Sequence, residues 1–417
     1  MIDYPTLQQE DPAIYQALRK EELRQSEGIE LIASENYVSQ AVLEAMGTVF
    51  TNKYSEGYPG KRYYAGNEVV DTVETLAIDR AKQLFDAEYV NIQPLSGSPA
   101  NFAVYLALLQ PGDKVLGFKL DHGGHLSHGM HLNVSGKLYQ FSFYGVEKET
   151  GRVDMDKVRE IALQERPKMI VAGFSAYSRD FDWKAFKAIA DEIGAFTMAD
   201  IAHVAGLIAG KQLENPTPYF DVVTTTTHKT LRGPRGAIIM AKEQYTAELN
   251  RAVFPGLQGG PHDHINAAKA VAFREALDPS FQVYSAQVIK NAKALAGELM
   301  QRGYKIISDG TDNHLMLVDL VTSRNVSGKP AVEALDEIGI SANFNLIPYD
   351  DRKPFDPSGL RLGTPAVTTR GMKEGEMKQI AGWIDAVLSD PTNETTKRQV
   401  HSELKELTKM FPVPGIG

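Results

Sequence analysis

From Val69 to about residue 240 the chain alternates short β-branched runs with helical stretches, and this alternation constrains its fold more than any other feature. Val69–Phe85 predicts a helix, Tyr89–Gln93 a short strand, and the Ala-, Val- and Leu-rich stretch after Ser98 a second helix. Strands follow at Leu138–Phe143, Met169–Ala172, Ala195–Asp200 and Val222–Thr227, with a helix from Asp156. Strands separated by helices are returned to the sheet in the same direction. The expected fold is therefore α/β, with a mainly parallel central sheet flanked by helices. Residues 12–27 read as an amphipathic helix with Ile14, Leu18 and Leu23 on one face. After about residue 275 the pattern changes to longer polar helices near 281–302 and 329–338, with strands at 305–307 and 315–320, as in a smaller α+β domain. The expected division is an N-terminal arm (1–50), a large domain (51–275) and a small domain (276–417), closing on a polar helix and a frayed FPVPGIG tail.

In a sheet of this kind ligands collect beyond the carboxyl ends of the strands, so the residues there matter most. The run DVVTTTTHKTLRGPRG places Lys229 at one such end, before a loop set by Gly233, Pro234 and Gly236. Its amine suits Schiff-base chemistry if neighbours such as His228 or Arg235 lower its pKa; a plain surface lysine is the alternative. Ser96, Gly97 and Ser98 stand between a strand and a helix, where backbone amides and small hydroxyls cup an anion, unless the serines merely cap the helix. Ser175 follows another strand, and Asp200 ends a further one with His203 three residues on. A buried carboxylate there needs a partner; a helix N-cap is its alternative. Arg361, on a short strand of the second domain, suits a bidentate grip on a carboxylate, or an ordinary surface ion pair. Anion cup, carboxylate and amine at successive strand ends are together the equipment for pyridoxal 5'-phosphate.

Other classes are disfavoured. A net charge of -9 without a basic block speaks against a nucleic-acid partner. With no cysteine there is no disulfide, thiolate nucleophile or Cys-based zinc site. No apolar run approaches the ~18 residues of a membrane span, and the polar first 25 residues do not resemble a signal peptide, so a cytoplasmic protein is expected. His122, His125, His128 and His131 recur every third residue, but Gly123, Gly124 and Gly129 break any helix that would align them, so no metal is expected. The stretch from Leu31 to Gly66 is Tyr-, Gly- and Ser-rich, and such a loop either wraps a partner or builds a site, when it is not simply structural.

SENYVS, YSEGYPGKRYYAG, SGSPAN, GGHLSHG, SAYSRDFDW, DIAHVAGL, TTTTHKTLRGPRG, GLQGGPH and RLGTPAVTTRG, in that order from about residue 10 to 411, resemble the serine hydroxymethyltransferases. The resemblance implies a fold-type I pyridoxal-phosphate transferase that interconverts L-serine and glycine. It implies transfer of the one-carbon unit to tetrahydrofolate, with folate-independent cleavage of 3-hydroxy amino acids as a side activity. Carried onto matching positions, it makes Lys229 the residue that forms the Schiff base and Asp200 the partner of the ring nitrogen. His125 would stack on the ring, His203 would bond the cofactor's oxygen or the substrate, and Ser175 and His228 would add cofactor contacts. Ser96, Gly97 and Ser98 would hold the phosphate, helped across a homodimer interface by Tyr54 and Gly260. Ser34 and Arg361 would bind the substrate carboxylate, with Tyr64 from the neighbouring subunit, and Glu56 would act as acid and base at the serine hydroxyl. Leu120, Gly124, Leu126 and Asn345 would line the pteridine site. The N-terminal arm would contact the partner in an obligate dimer, with a tetramer also open. Leu95, Pro99, Asp121 and His122, and the GGPHDHI loop, depart from the usual bacterial pattern without touching Lys229, Asp200, Glu56 or Arg361. A threonine aldolase on the same fold and an inactive regulatory relative are the competing readings. The presence of Glu56 in the YSEGYPG loop and the intact set of site residues weigh against both.

Overall fold

The structure is a computed structural model describing residues 4–416. Met1–Asp3, which open the expected arm, and Gly417, which ends the expected frayed tail, lie outside the described residues. The chain divides into two compact units, one of residues 41–286 and one comprising the residues up to Gln40 with those from Gln287 onward. The sequence placed boundaries at 50/51 and 275/276; the units meet at 40/41 and 286/287.

The 41–286 unit is built on a seven-stranded sheet: β1 (Tyr89–Asn91), β2 (Lys114–Phe118), β3 (Gln140–Tyr144), β4 (Met169–Gly173), β5 (Phe196–Asp200), β6 (Val222–Thr226) and β7 (Ala237–Ala241). Their order is β1-β7-β6-β5-β4-β2-β3. Only β7 runs against its neighbours, so the other six point the same way. β4, β6 and β7 are buried along their whole length, as continuous β-branched and apolar runs covered on both faces should be. Register places Asp200, the last residue of β5, opposite Gly173 on β4 and Thr224 on β6. The carboxyl ends of β1, β2, β4, β5 and β6 thus share one edge of the sheet.

One boundary differs from expectation. Leu138 closes a short helix, Val134–Leu138, and β3 starts only at Gln140. Asn133 accepts the Ser135 amide at 3.0 Å and caps that helix, a local bond that outweighs the β propensity of the following residues.

The other unit holds a four-stranded antiparallel sheet of β8 (Lys305–Ile306), β9 (Leu315–Asp319), β10 (Asn343–Asn345) and β11 (Gly359–Gly363), in the order β8-β9-β11-β10. Its core joins Ile29, Leu31, Leu299, Met316, Leu360 and Trp383. The helix Pro12–Glu27 forms as expected, but on its expected apolar face Ile14 and Leu23 are each 56% exposed while Leu18 is half-buried. The tail is not frayed. Val413 is 3% exposed and packs with Tyr37 and Ala366, and Arg370 donates to the carbonyls of Phe411 and Gly28.

Candidate active site

At the end of β1 the chain turns into the helix Gly97–Leu108. Ser96 holds the N-cap position with an extended backbone, yet its side chain makes no capping bond, so simple capping does not account for it. The first turn carries no acidic residue, and its amides present the positive end of the helix dipole. Gly97 is required there: an added Cβ would lie 2.8 Å from Thr226 Cγ2, at the end of β6. The cup and the strand that leads to Lys229 are therefore in contact.

Asp200 sits at the centre of a buried network. Its Oδ2 accepts from Asn101 Nδ2 at 2.8 Å and from His128 Nε2 at 3.0 Å, and its Oδ1 accepts the Ala202 amide at 3.1 Å. Asn101 Oδ1 accepts in turn from Thr224 Oγ1 at 2.7 Å, and Asn101 Nδ2 also donates to Ser127 Oγ at 2.8 Å. Ser127 Oγ lies 2.7 Å from Nδ1 of His125, whose ring meets that of His128 edge-on at 5.6 Å between centroids. Burial pushes the Asp200 carboxyl up, but the His128 hydrogen bond and charge, the His125 charge and the Asn101 amide outweigh it and hold the group well below the usual carboxylate range. Asp200 is a charged, fixed acceptor and not a helix cap; the next helix, Ala205–Ala209, begins after Val204.

Two of the four histidines of the cluster therefore join a carboxylate that is distant in sequence. Ligating atoms of His125, His128 and Asp200 lie within 4.8 Å of one another, although the His128 and Asp200 atoms bond each other directly. His122 instead accepts the Val146 amide at 3.0 Å.

Lys229, 9% exposed, stands three residues beyond β6 in a loop closed by Gly233 N to Thr227 O at 2.7 Å and Thr227 N to Gly236 O at 3.0 Å. Its neighbour Thr230 donates to His203 O at 2.9 Å and accepts the Gly206 amide at 2.9 Å, which ties the lysine loop to the segment carrying His203. His203 Nε2 lies 3.5 Å from Ser175 Oγ. One expectation is corrected here. Burial, then the charges of Lys229 and Arg235, pull His228 down to about 3, so it is neutral at pH 7 and brings no positive charge to the lysine.

Tyr54, Glu56, Tyr64 and Gly260 form a second group. The Tyr54 and Tyr64 rings meet edge-on at 5.3 Å, and a Cβ on Gly260 would lie 3.5 Å from Tyr54 Cε1. The neighbouring Gly259 passes as close to Glu56, 3.2 Å from Oε1 to its built Cβ. Arg62 fixes this loop: Nη1 donates to the carbonyls of Ser55 (2.8 Å) and Gly57 (2.9 Å), on either side of Glu56, while Nη2 pairs with buried Glu74 at 2.6 Å. Leu120 and Leu126 are exposed apolar side chains flanking Gly124.

In the other unit, Gly363 at the end of β11 donates to Leu31 O at 2.8 Å, which places the loop bearing Ser34 beside the strand bearing Arg361. Arg361 is 8% exposed and donates to Asn343 Oδ1 at 3.0 Å; burial pulls its guanidinium down to about 10, so it remains a cation at pH 7. Asn345, on β10, donates to Leu346 O at 2.6 Å.

Residues 7–384 match the family model described as serine hydroxymethyltransferase. The chain belongs to the serine hydroxymethyltransferase family. It is 56% identical over 412 residues to a serine hydroxymethyltransferase of Acidothermus cellulolyticus, covering 97% of this chain and 96% of that protein. It is 56% identical over 410 residues to one from Acidobacterium capsulatum, covering 98% and 96%. The family is one of fold-type I pyridoxal-phosphate enzymes, and the mostly parallel seven-stranded sheet agrees with that architecture. The residues also fit the cofactor on their own chemistry. A helix N-terminus with an uncommitted N-cap serine suits a phosphate, a carboxylate held charged by three donors suits a protonated ring nitrogen, and a lysine at a strand end suits an aldehyde.

Sequence reading missed Asn101, Ser127, His128 and Thr224, which orient Asp200 and His125, and Arg62, which orients Glu56. The Asn of SGSPAN and the third-residue spacing of the histidines were visible signals, but nothing local pointed to Asp200 as their common partner.

Proposed function

We propose that this protein is a cytoplasmic enzyme that interconverts L-serine and glycine and passes the one-carbon unit to tetrahydrofolate, forming 5,10-methylenetetrahydrofolate. The observation that carries the reading is the charged Asp200, gripped by His128 and Asn101, on the strand beside the one that delivers Lys229. When bound, pyridoxal phosphate supplies an aldehyde that takes up amines and a pyridine ring that draws the electron pair from the substrate's Cα. Ser96, Gly97 and Ser98 would hold its phosphate, Asp200 its ring nitrogen, His125 its ring face and Lys229 its aldehyde end. Ser175, His203 and His228 would complete its surroundings.

The remaining work falls to the chain's own groups. Ser34 and Arg361 would bind the substrate carboxylate, for which a buried guanidinium that remains charged is suited. Glu56 takes the proton of the serine hydroxyl as the hydroxymethyl carbon leaves, and returns one in the reverse direction. Lys229 holds a proton at Nζ for the exchange at Cα. Leu120, Gly124, Leu126 and Asn345 offer an apolar face and an amide to the pterin. Serine labelled at its β-carbon tests the reading: label should reach methylenetetrahydrofolate only with both pyridoxal phosphate and tetrahydrofolate present. Equally fast release of the labelled carbon without folate would instead make the protein an aldolase.

The second group would serve a neighbouring subunit in a homodimer, with Tyr54 and Gly260 at the phosphate and Tyr64 and Glu56 at the substrate. The exposure of Tyr54, Tyr63, Val69 and Leu76, together with that of Ile14 and Leu23 on the Pro12–Glu27 helix, supports a partner surface. Co-refolding Lys229→Ala with Glu56→Gln, each inactive alone, should restore about a quarter of wild-type activity, because half of randomly paired dimers are mixed and each mixed dimer has one intact site. No recovery would mean that Glu56 serves its own chain.

A further inference from the structure

Lys269 lies on the helix Asp263–Ala276, is 1% exposed, and no role above uses it. Its Nζ is surrounded by neutral oxygens. It donates to Ile92 O, to Ala237 O at 3.1 Å, to Pro94 O at 3.3 Å and to Asn266 Oδ1 at 3.3 Å. Among the described residues no carboxylate lies within hydrogen-bonding reach of it. Burial pulls the ammonium down to about 7, with Glu74 acting the other way. An ammonium buried without a counter-ion costs stability, and an apolar side chain of similar volume would avoid that cost. Its position is therefore unexplained by stability alone.

The three carbonyls mark the point where two strands part. β1 and β7 are paired up to Asn91 opposite Ile239, and beyond that Ala237 N still donates to Pro94 O at 3.2 Å. From there one chain runs through Pro94 to Ser96 and the anion cup. The other runs back through Gly236 to Thr227, which it holds by the Thr227 N to Gly236 O bond, and so to Lys229. Lys269 fills the fork so closely that a side chain at Gly236 would have to displace its end, since an added Cβ would lie 2.5 Å from Lys269 Cε and 3.1 Å from Nζ.

We propose that Lys269 is a positioning residue that ties the phosphate cup to the lysine loop, setting the cup for the cofactor's phosphate from behind. This rests on the cofactor reading above. N–H donors of one Nζ to Ile92 and Pro94 on one arm and Ala237 on the other fix the separation of the arms, and a side chain without donors cannot replace them. The expected cost falls on the phosphate and not on the fold.

Spectroscopic titration of apoprotein with pyridoxal phosphate, and separately with pyridoxal, which lacks the phosphate, reads this directly. For Lys269→Met the unfolding midpoint of the apoprotein should stay level or rise, as replacement of a buried charge allows. The Kd for pyridoxal phosphate should rise about tenfold or more, as for the loss of a buried hydrogen bond from a charged group, with a much smaller change for pyridoxal. A pyridoxal-phosphate Kd within about twofold of wild type, or an equal weakening of both ligands, overturns the proposal. Should Lys269→Met not yield folded protein, Gly236→Ala, which presses on the same ammonium from the opposite side, is judged by the same two affinities. A wild type that takes up no pyridoxal phosphate sinks the functional reading and this one together; a wild type that binds beside a variant that binds as well sinks this one alone.

Discussion

Lys229→Ala is expected to lose the visible absorption band that the wild type acquires on incubation with pyridoxal phosphate, and to lose turnover by about 10⁴-fold or more, the upper end of what one positioned acid-base group contributes. The substitution removes the amine and leaves the main chain in place. The loop is closed by main-chain bonds from Gly233 to Thr227 and from Arg232 to Lys229 O, and by the Thr230 hydroxyl to His203 O, none of which uses the lysine side chain. The unfolding midpoint and circular-dichroism spectrum should therefore match the wild type. The cup and Asp200 remain intact, so the variant should still bind the cofactor, but reversibly and removably by dialysis. Wild-type turnover by Lys229→Ala would show that another amine does this work. Normal stability with no cofactor binding at all would instead place the main affinity at Lys229 and not at the cup.

The strands and the residues at their ends were legible because both signals are local. A buried parallel strand needs a continuous β-branched run, and Val222–Thr226 and Met169–Gly173 show one; the residue after such a run must lie at the sheet's edge. Lys229, Asp200 and the Ser-Gly-Ser cup could be found by that rule alone. What supports Asp200 could not. Asn101 and His128 reach it directly, and Ser127 and Thr224 through Asn101, from three other segments, and hydrogen bonds between residues 26 to 123 positions apart leave no periodic trace. The same limit hid Arg62 and Lys269, which act by collecting backbone carbonyls, groups that every residue carries. His228 was misjudged for a different reason. Its place next to Lys229 suggested a neighbour that lowers the lysine's pKa, whereas burial beside two existing cations makes the neutral ring the stable form. The tail misled because Pro and Gly in FPVPGIG imply irregular backbone, and irregular backbone can still be pinned, here by Arg370 and the burial of Val413.

Asp200→Asn should retain cofactor binding but lose kcat by about 10²–10³-fold, the usual cost of removing one preorganised electrostatic partner. The amide has the shape of the carboxylate without its charge. It also places an NH₂ where only acceptors fit, against donors from Asn101 and His128, so one donor of the network loses its acceptor. Because the native carboxyl is held well below its ordinary value, it is charged throughout the neutral range, and the deficit should not change between about pH 5 and 8. Stability gives an independent reading. A carboxyl whose folded pKa is depressed contributes stability that is fully present above its unfolded value, about 4, and is lost as pH falls through the folded value. Urea midpoints of wild-type and Asp200→Asn apoprotein should therefore differ most above about pH 5 and converge as the solution is acidified below about pH 4. A constant difference down to strong acid would show that the Asn variant is weakened by its misplaced amide and not by the lost charge. A kcat deficit below about fivefold would remove Asp200 from the chemistry and leave it a structural carboxylate.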